Sequence, residues 1–252
     1  MFGKNWPCYH ISMKQFEGAE APEIPVKKVH FIRHGKPVTS PEINPETYGT
    51  NEMPFADFLE AIDVPKSINL PLSENGKAEI RANTEQMSAE ILGHVKILIS
   101  SPYLRCKQTA EEVSKIIEEK TGNKLEVIES DYLKEVEFDT TLLDEDAYKE
   151  MIARVGFMGV LDFYVEKWYN GNSKTENADD TYFRAKRFLT YLRRVRKWTK
   201  NDSVFISTHG WIGRIVKHVA EGGAKEDYHS TRMLKTGEVF SFSEDELLEI
   251  DF

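Results

Sequence analysis

The sequence predicts an α/β fold, a three-layer α/β/α sandwich around a mostly parallel sheet. Three observations carry this. Short apolar runs at 29–32, 95–99 and 204–206 are bounded by Gly, Pro or polar residues, as buried strands are. Stretches with helical apolar spacing lie between them. Strands that alternate with helices pack as a parallel sheet covered on both faces.

Composition narrows the class. Of 252 residues, 40% are hydrophobic and 30% charged, which suits a folded globular domain and not a disordered chain. The net charge of −9 argues against nucleic acid as a partner, because phosphate backbones call for basic surfaces. Two cysteines, Cys8 and Cys106, make no disulfide framework. No apolar run approaches the roughly 20 residues of a membrane span, and residues 1–14 lack a charged-then-apolar leader pattern. The expectation is a cytoplasmic protein that meets neither nucleic acid nor membrane; a homodimer is compatible with it.

Taken in order, residues 1–28 carry Pro7, Pro22 and Pro25 without a period and are expected to form an N-terminal extension. Residues 29–252 are then expected to make one domain. After the first strand, 38–70 holds Pro41, Pro45, Pro54 and Pro65 with Phe55, Phe58 and Leu59 among them. This is long for a strand-to-helix connection and is expected to be an inserted lid segment. Ser73 is the expected N-cap of a helix running to about Leu92. The second strand is 95–100. A helix follows over 103–120, with Ala110, Val113 and Ile117 on one face and Gly122 as its stop. A short third strand is expected at 125–129. The aromatic-rich 142–168 is largely helical and belongs to a second inserted segment, 138–178. An amphipathic helix spans 180–199, with Phe188, Leu192, Val195 and Trp198 along its inner stripe. The strand at 203–208 leads into a helix over 210–220, and 239–242 with 247–250 close the chain as a hairpin.

Three strands end in polar triplets: Arg33-His34-Gly35, Ser100-Ser101-Pro102 with Arg105 following, and Thr208-His209-Gly210. In a parallel sheet these ends share one edge, where ligands bind in open α/β folds. Histidine supplies a nitrogen nucleophile, and arginine a fixed fork of donors for an oxyanion. Gly35 lets the backbone turn sharply or approach a ligand closely. Arg105 falls on the first turn of its helix, where free N–H groups also favour an anion. Two histidines and two arginines at one spot suit phosphoryl transfer, which is mostly positioning plus electrostatics. His34 would attack in its neutral form, and His209 would donate a hydrogen bond to the phosphoryl oxygens. No His-Asp-Glu cluster with metal spacing appears, so no metal is expected.

These motifs resemble a known family. Phe31-Ile32-Arg33-His34-Gly35, Pro71-Leu72-Ser73-Glu74-Asn75-Gly76, the block from Ser100-Ser101-Pro102 through Arg105 to Gln108-Thr109-Ala110, and Thr208-His209-Gly210 are similar, in order and spacing, to those of the histidine phosphatase superfamily, which includes the phosphoglycerate mutases. The resemblance implies a phosphoglycerate mutase-like fold and a metal-independent phosphatase, without a cofactor, that hydrolyses a small phosphomonoester through a phosphohistidine on His34. It implies phosphate contacts from Arg33, Arg105 and His209, with Gly35 and Gly210 beside them. It also implies a carboxylic general acid in a Leu-x-Glu pattern, which Leu133-Lys134-Glu135 fits; Glu137 and Asp139 remain open as alternatives. The family continues Arg-His-Gly with Glu or Gln and a nearby Asn. Here the run is Lys36-Pro37-Val38-Thr39-Ser40, so Thr39 or Ser40 is only a partial replacement for the Asn. The Trp-Asn of the mutases is absent as well, which favours hydrolysis over mutase-type phosphotransfer. A non-catalytic binding or regulatory use of the fold is the third alternative. Cys106 is expected to be a packing residue and His30 an interior hydrogen-bonded one. Phe55, Phe58, Tyr148, Phe157 and Trp168 are expected to hold the roof of the site down, more than to wall a substrate.

Overall fold

Strand β1 spans Lys28–Arg33, β2 Val95–Ser100, β3 Val127–Glu129, β4 Ser203–Thr208 and β5 Val239–Ser243. They form one sheet in the order β3-β2-β4-β1-β5. The computed structural model describes residues 28–38, 46–47, 49–62, 68–171, 174–194 and 202–243. Every residue of β4 is buried, as the centre of a sheet covered on both faces requires. β1 and β2 run parallel to β4 on either side, β3 runs parallel to β2, and β5 lies antiparallel on the β1 edge. The expected hairpin partner of β5, at 247–250, lies outside the described residues. Arg33 pairs with Thr208 and Ser100 with Ser207, so the three strand ends meet at one edge.

Alternation along the strands feeds two layers. On one face Ile32, Leu98 and Phe205 pack against Ile80 of α2 (Glu74–Glu85), Leu92 of α3 (Ala89–Gly93) and Val113, Ile116 and Ile117 of α4 (Leu104–Thr121). On the other face Phe31, Ile99, Val204 and Ile206 meet Phe188, Leu189 and Leu192 of α6 (Ala178–Arg194), and Ile212, Ile215 and Val216 of α7 (Gly210–Ala220). This is the expected sandwich.

Three boundaries differ from the sequence expectation. The helix expected to reach Leu92 stops at Glu85, and Ser88 opens a second one by accepting from the Ile91 N–H. A serine inside a helical period reads as an ordinary polar position, which hides the new cap. The third strand starts at Val127, and before it the Leu125 carbonyl accepts from the Ser114 hydroxyl of α4 at 3.0 Å. The helix α5 (Glu145–Tyr169) is broken at Gly156, whose φ of 74° and ψ of 176° suit glycine alone. Asn51 steadies the break by accepting from the Phe157 N–H at 2.8 Å.

The two segments expected as lids share one apolar cluster. Phe58 of α1 (Phe55–Ile62) and Met53 pack with Tyr148, Val160 and Tyr164 of α5, and Phe55 and Phe157 lean on them. Trp168 is buried in the main core instead. These aromatics are therefore spent on packing. Among the described residues no helix is long and apolar enough to cross a membrane.

Midway along β1, His30 is buried, and its Nδ1 lies 2.6 Å from the Ser241 hydroxyl. Its Nε2 has no partner. Burial, with the nearby Lys28 ammonium adding to it, lowers its pKa from 6.5 to about 4. Below 6.5 the unfolded chain takes up a proton at this ring and the folded chain does not. Stability therefore falls as the pH drops from 6.5 towards about 4, and this contribution levels off beneath that. His30→Gln should flatten the slope of unfolding free energy against pH by about 1.4 kcal/mol per pH unit in that window. Urea unfolding at a series of pH values reads this slope, and an unchanged slope would contradict it.

Candidate active site

The loop after β1 is held by backbone contact with the start of α2. A Cβ on Gly35 would lie 2.5 Å from the Gly76 carbonyl oxygen, and one on Gly76 would lie 2.2 Å from that of Lys36. Only two glycines can meet so closely. The Lys36 carbonyl accepts from both the N–H and the hydroxyl of Ser73, and the Val38 N–H donates to the Pro71 carbonyl. Ser73 is also the helix cap, accepting from the Gly76 N–H. From α4, Gln108 accepts from the Leu72 N–H at 2.7 Å, and Thr109 accepts from the Gly35 N–H at 3.3 Å. The motifs at 33–35, 71–76 and 108–109 thus form one hydrogen-bonded corner.

Inside this corner stand two imidazoles, His34 and His209, edge to face with ring centres 5.1 Å apart. Both are buried. His34 Nδ1 lies 2.8 Å from the Gly35 carbonyl, which can only accept, so Nδ1 carries the proton. The other nitrogen, Nε2, accepts from Arg105 Nε at 3.1 Å. Arg105 reaches the second ring as well, through Nη2 at 3.2 Å from His209 Nδ1. A guanidinium only donates, so the His209 proton sits on Nε2 and is given to the Ser101 hydroxyl at 2.8 Å. Burial first, and the Arg105 charge second, hold both rings well below the usual histidine pKa. Both are neutral at physiological pH, and the unprotonated Nε2 of His34 is a nitrogen lone pair facing a cation.

Arg33 anchors its guanidinium by donating from Nη1 to the Leu234 carbonyl at 2.7 Å. Its Nε is buried without a hydrogen-bond partner. A side chain at Gly210 would meet this guanidinium at 3.1 to 3.3 Å, so Gly210 makes room for Arg33. Cys106 packs against His209, with Sγ 3.3 Å from Nε2, and burial pushes its thiol up to about 12. A thiol so placed is a poor nucleophile.

The three candidate acids have separate fates. Glu135 accepts from the N–H groups of Trp211 (3.3 Å) and Ile212 (3.0 Å) in the first turn of α7, and from that of Val136. It therefore stands at the helix end that His209 caps. Asp139 is used as a loop pin. It accepts from the Thr141 N–H and hydroxyl and from the Lys174 N–H. Against the effect of burial, these bonds hold its carboxyl below the ordinary range. Glu137 lies within electrostatic reach of the Tyr103 hydroxyl, whose pKa is raised chiefly by burial and then by Glu137 and Glu135.

The fold brings together Arg33, His34, Gly35, Arg105, His209 and Gly210, with Glu135 beside them at the first turn of α7; Ser40 lies outside the described residues. Ser101, which orients His209, is a residue that the sequence reasoning quoted without a role. So are Gln108 and Thr109. Their inclusion in the matched block was the signal available. Among the described residues no three His, Cys, Asp or Glu side chains gather as a metal site.

Comparison with known proteins assigns the class. The description "Histidine phosphatase superfamily (branch 1)" matches residues 58–246, most of the chain, and the protein belongs to that superfamily. The match starts beyond Arg33-His34-Gly35, so the first motif rests on the fold around it. No curated protein sequence matches. Among solved structures, a mycobacterial glucosyl-3-phosphoglycerate phosphatase superposes with a TM-score of 0.58 at 15% identity, over 86% of this chain and 90% of that one. A phosphoserine phosphatase from Entamoeba histolytica, solved with 3-phosphoglyceric acid, gives 0.52 at 18% identity over 85% and 89%. At these identities the likeness is one of fold.

The glycine contact makes a prediction with a definite sign. In a helix, Gly→Ala ordinarily stabilises by about 0.5–1 kcal/mol. Gly76→Ala should instead destabilise by about 1–3 kcal/mol, because its methyl meets backbone and not a flexible side chain. Urea unfolding decides between these signs, and a stabilised variant would contradict the contact.

Proposed function

We propose that the chain is a metal-independent phosphatase that hydrolyses a small phosphomonoester through a phosphohistidine on His34. The observation that carries this is the tautomer of His34: the Gly35 carbonyl holds the proton on Nδ1 and leaves Nε2 facing Arg105. The phosphoryl group takes the place of that contact. Arg105 and Arg33 then balance the charge on its oxygens, which is the largest share of catalysis in such a site. Once the phosphoryl group replaces Arg105 at His209 Nδ1, the ring proton moves to that nitrogen and is given to a phosphoryl oxygen, while the Ser101 hydroxyl turns to donate to Nε2.

The steps balance as follows. Nε2 attacks phosphorus while the ester P–O bond breaks, and the leaving oxygen takes a proton from the Glu135 carboxyl. Water then attacks the phosphohistidine, returns a proton to Glu135, and releases inorganic phosphate and neutral His34. Glu135 and Asp139 each accept three hydrogen bonds, so the choice of Glu135 is supported by its position alone, at the helix end that His209 caps. The substrate is a small phosphorylated molecule, as the name of the mycobacterial neighbour indicates for that protein. We place the protein in the cytoplasm, where the free thiol of Cys106 stays reduced.

Turnover of p-nitrophenyl phosphate and of an alkyl phosphate is the assay. It should persist in EDTA, because the arginines supply the positive charge, and vanadate should inhibit it as a mimic of five-coordinate phosphorus. Glu135→Gln should slow the alkyl phosphate by about 10²-fold or more. It should slow p-nitrophenyl phosphate less, since that leaving group hardly needs a proton. If Glu137→Gln shows this dependence and Glu135→Gln does not, the acid is Glu137; if neither does, Asp139 is the next candidate. A strict requirement for an added metal ion would contradict the mechanism.

A further inference from the structure

Leu133-Lys134-Glu135 belongs to a segment without regular structure, which follows a single 3-10 turn at Asp131–Leu133. A general acid on such a segment needs external support, because its reach to the leaving oxygen must be fixed within a fraction of an ångström. Three consecutive carbonyls of this segment are taken by side chains from elsewhere in the fold. Arg184 of α6 donates from Nη1 to the Tyr132 carbonyl at 2.9 Å and to the Lys134 carbonyl at 2.6 Å. Between them, the Leu133 carbonyl accepts from the hydroxyl of Thr208, the residue before His209, at 3.1 Å.

Arg184 is itself held. Its Nε and Nη2 form a two-pronged pair with the Glu176 carboxylate, both contacts at 2.7 Å, and each side chain is only 15% exposed. One planar guanidinium thus serves a carboxylate on one side and two carbonyls on the other. This use needs the fixed fork of arginine; a lysine ammonium carries the same charge without that geometry.

We infer that the Arg184–Glu176 pair is a positioning device for the proton donor. It fixes the 132–134 backbone so that Glu135 stays on the end of α7 beside His209. The inference rests on the proposed role of Glu135, and Arg184 touches neither substrate nor the reacting atoms.

The experiment measures kcat for an alkyl phosphate and for p-nitrophenyl phosphate in the full chain, with Arg184→Lys, Glu176→Gln, Glu135→Gln and the double variant Arg184→Lys/Glu135→Gln. Circular dichroism and thermal unfolding confirm folding at the assay temperature. Should Arg184→Lys not fold, Glu176→Gln carries the same comparison. Arg184→Lys and Glu176→Gln should each slow the alkyl phosphate at least tenfold and p-nitrophenyl phosphate less than threefold. Because the pair acts through Glu135, the double variant should be no slower on the alkyl phosphate than Glu135→Gln alone. Equal losses on the two substrates, or losses that multiply in the double variant, would mean general scaffolding and overturn the inference. If Glu135→Gln shows the leaving-group dependence while the clamp variants do not, the clamp alone is overturned. If Glu135→Gln lacks that dependence, the assignment of the acid fails and the clamp's role falls with it.

Discussion

Both buried imidazoles face one guanidinium, and the candidate site depends on that. Arg105 donates to His34 through Nε and to His209 through Nη2, so each ring must present a lone pair to it. Neither ring can hold a second proton there without facing a cation in a buried setting, and both are accordingly neutral. The Gly35 carbonyl and the Ser101 hydroxyl then complete the tautomers from the far side. Two histidines of identical chemistry are in this way given different free faces by one arginine and two small acceptors.

What holds Arg105 in place is the corner built from the motifs at 33–35, 71–76 and 108–109. The residue stands on the first turn of α4, whose next turn carries Gln108 and Thr109. Those two side chains bind the backbones of Leu72 and Gly35, and Gly35 touches Gly76 without an intervening atom. His34, Arg105, the loop after β1 and the segment before α2 are thus held together by these hydrogen bonds and by one glycine contact. The packing of α1 against α5 forms its own apolar cluster, so the aromatics there are committed to one another.

The sequence made the strand ends legible because each one changes abruptly from apolar to polar. Arg33-His34-Gly35, Ser101 with Arg105, and His209-Gly210 all fall where the parallel register places them. Features that depend on a distant partner were not legible. Ser88 restarts a helix through a local cap, yet its period continues the previous one. The Leu125 carbonyl, just before β3, is bonded to Ser114, eleven residues away in another element. The break at Gly156 is matched by Asn51, more than a hundred residues earlier. The bonds by which Asp139 pins its loop, from Thr141 and Lys174, likewise appear only on folding. Arg184 was one charge among many on an amphipathic helix, and only folding brings the 132–134 carbonyls to it.

The claim on which the mechanism turns is that one nitrogen of one histidine carries the phosphoryl group. Its direct test is to quench the reaction rapidly with a phosphorus-labelled substrate and locate the label. The account predicts an acid-labile, base-stable adduct on His34, bonded at Nε2 because the Gly35 carbonyl keeps the proton on Nδ1. Nuclear magnetic resonance of the phosphorylated, ring-nitrogen-labelled protein distinguishes the two isomers. An adduct at Nδ1, an adduct on His209 or Cys106, or turnover with no covalent intermediate in wild type and undiminished in His34→Ala would contradict it.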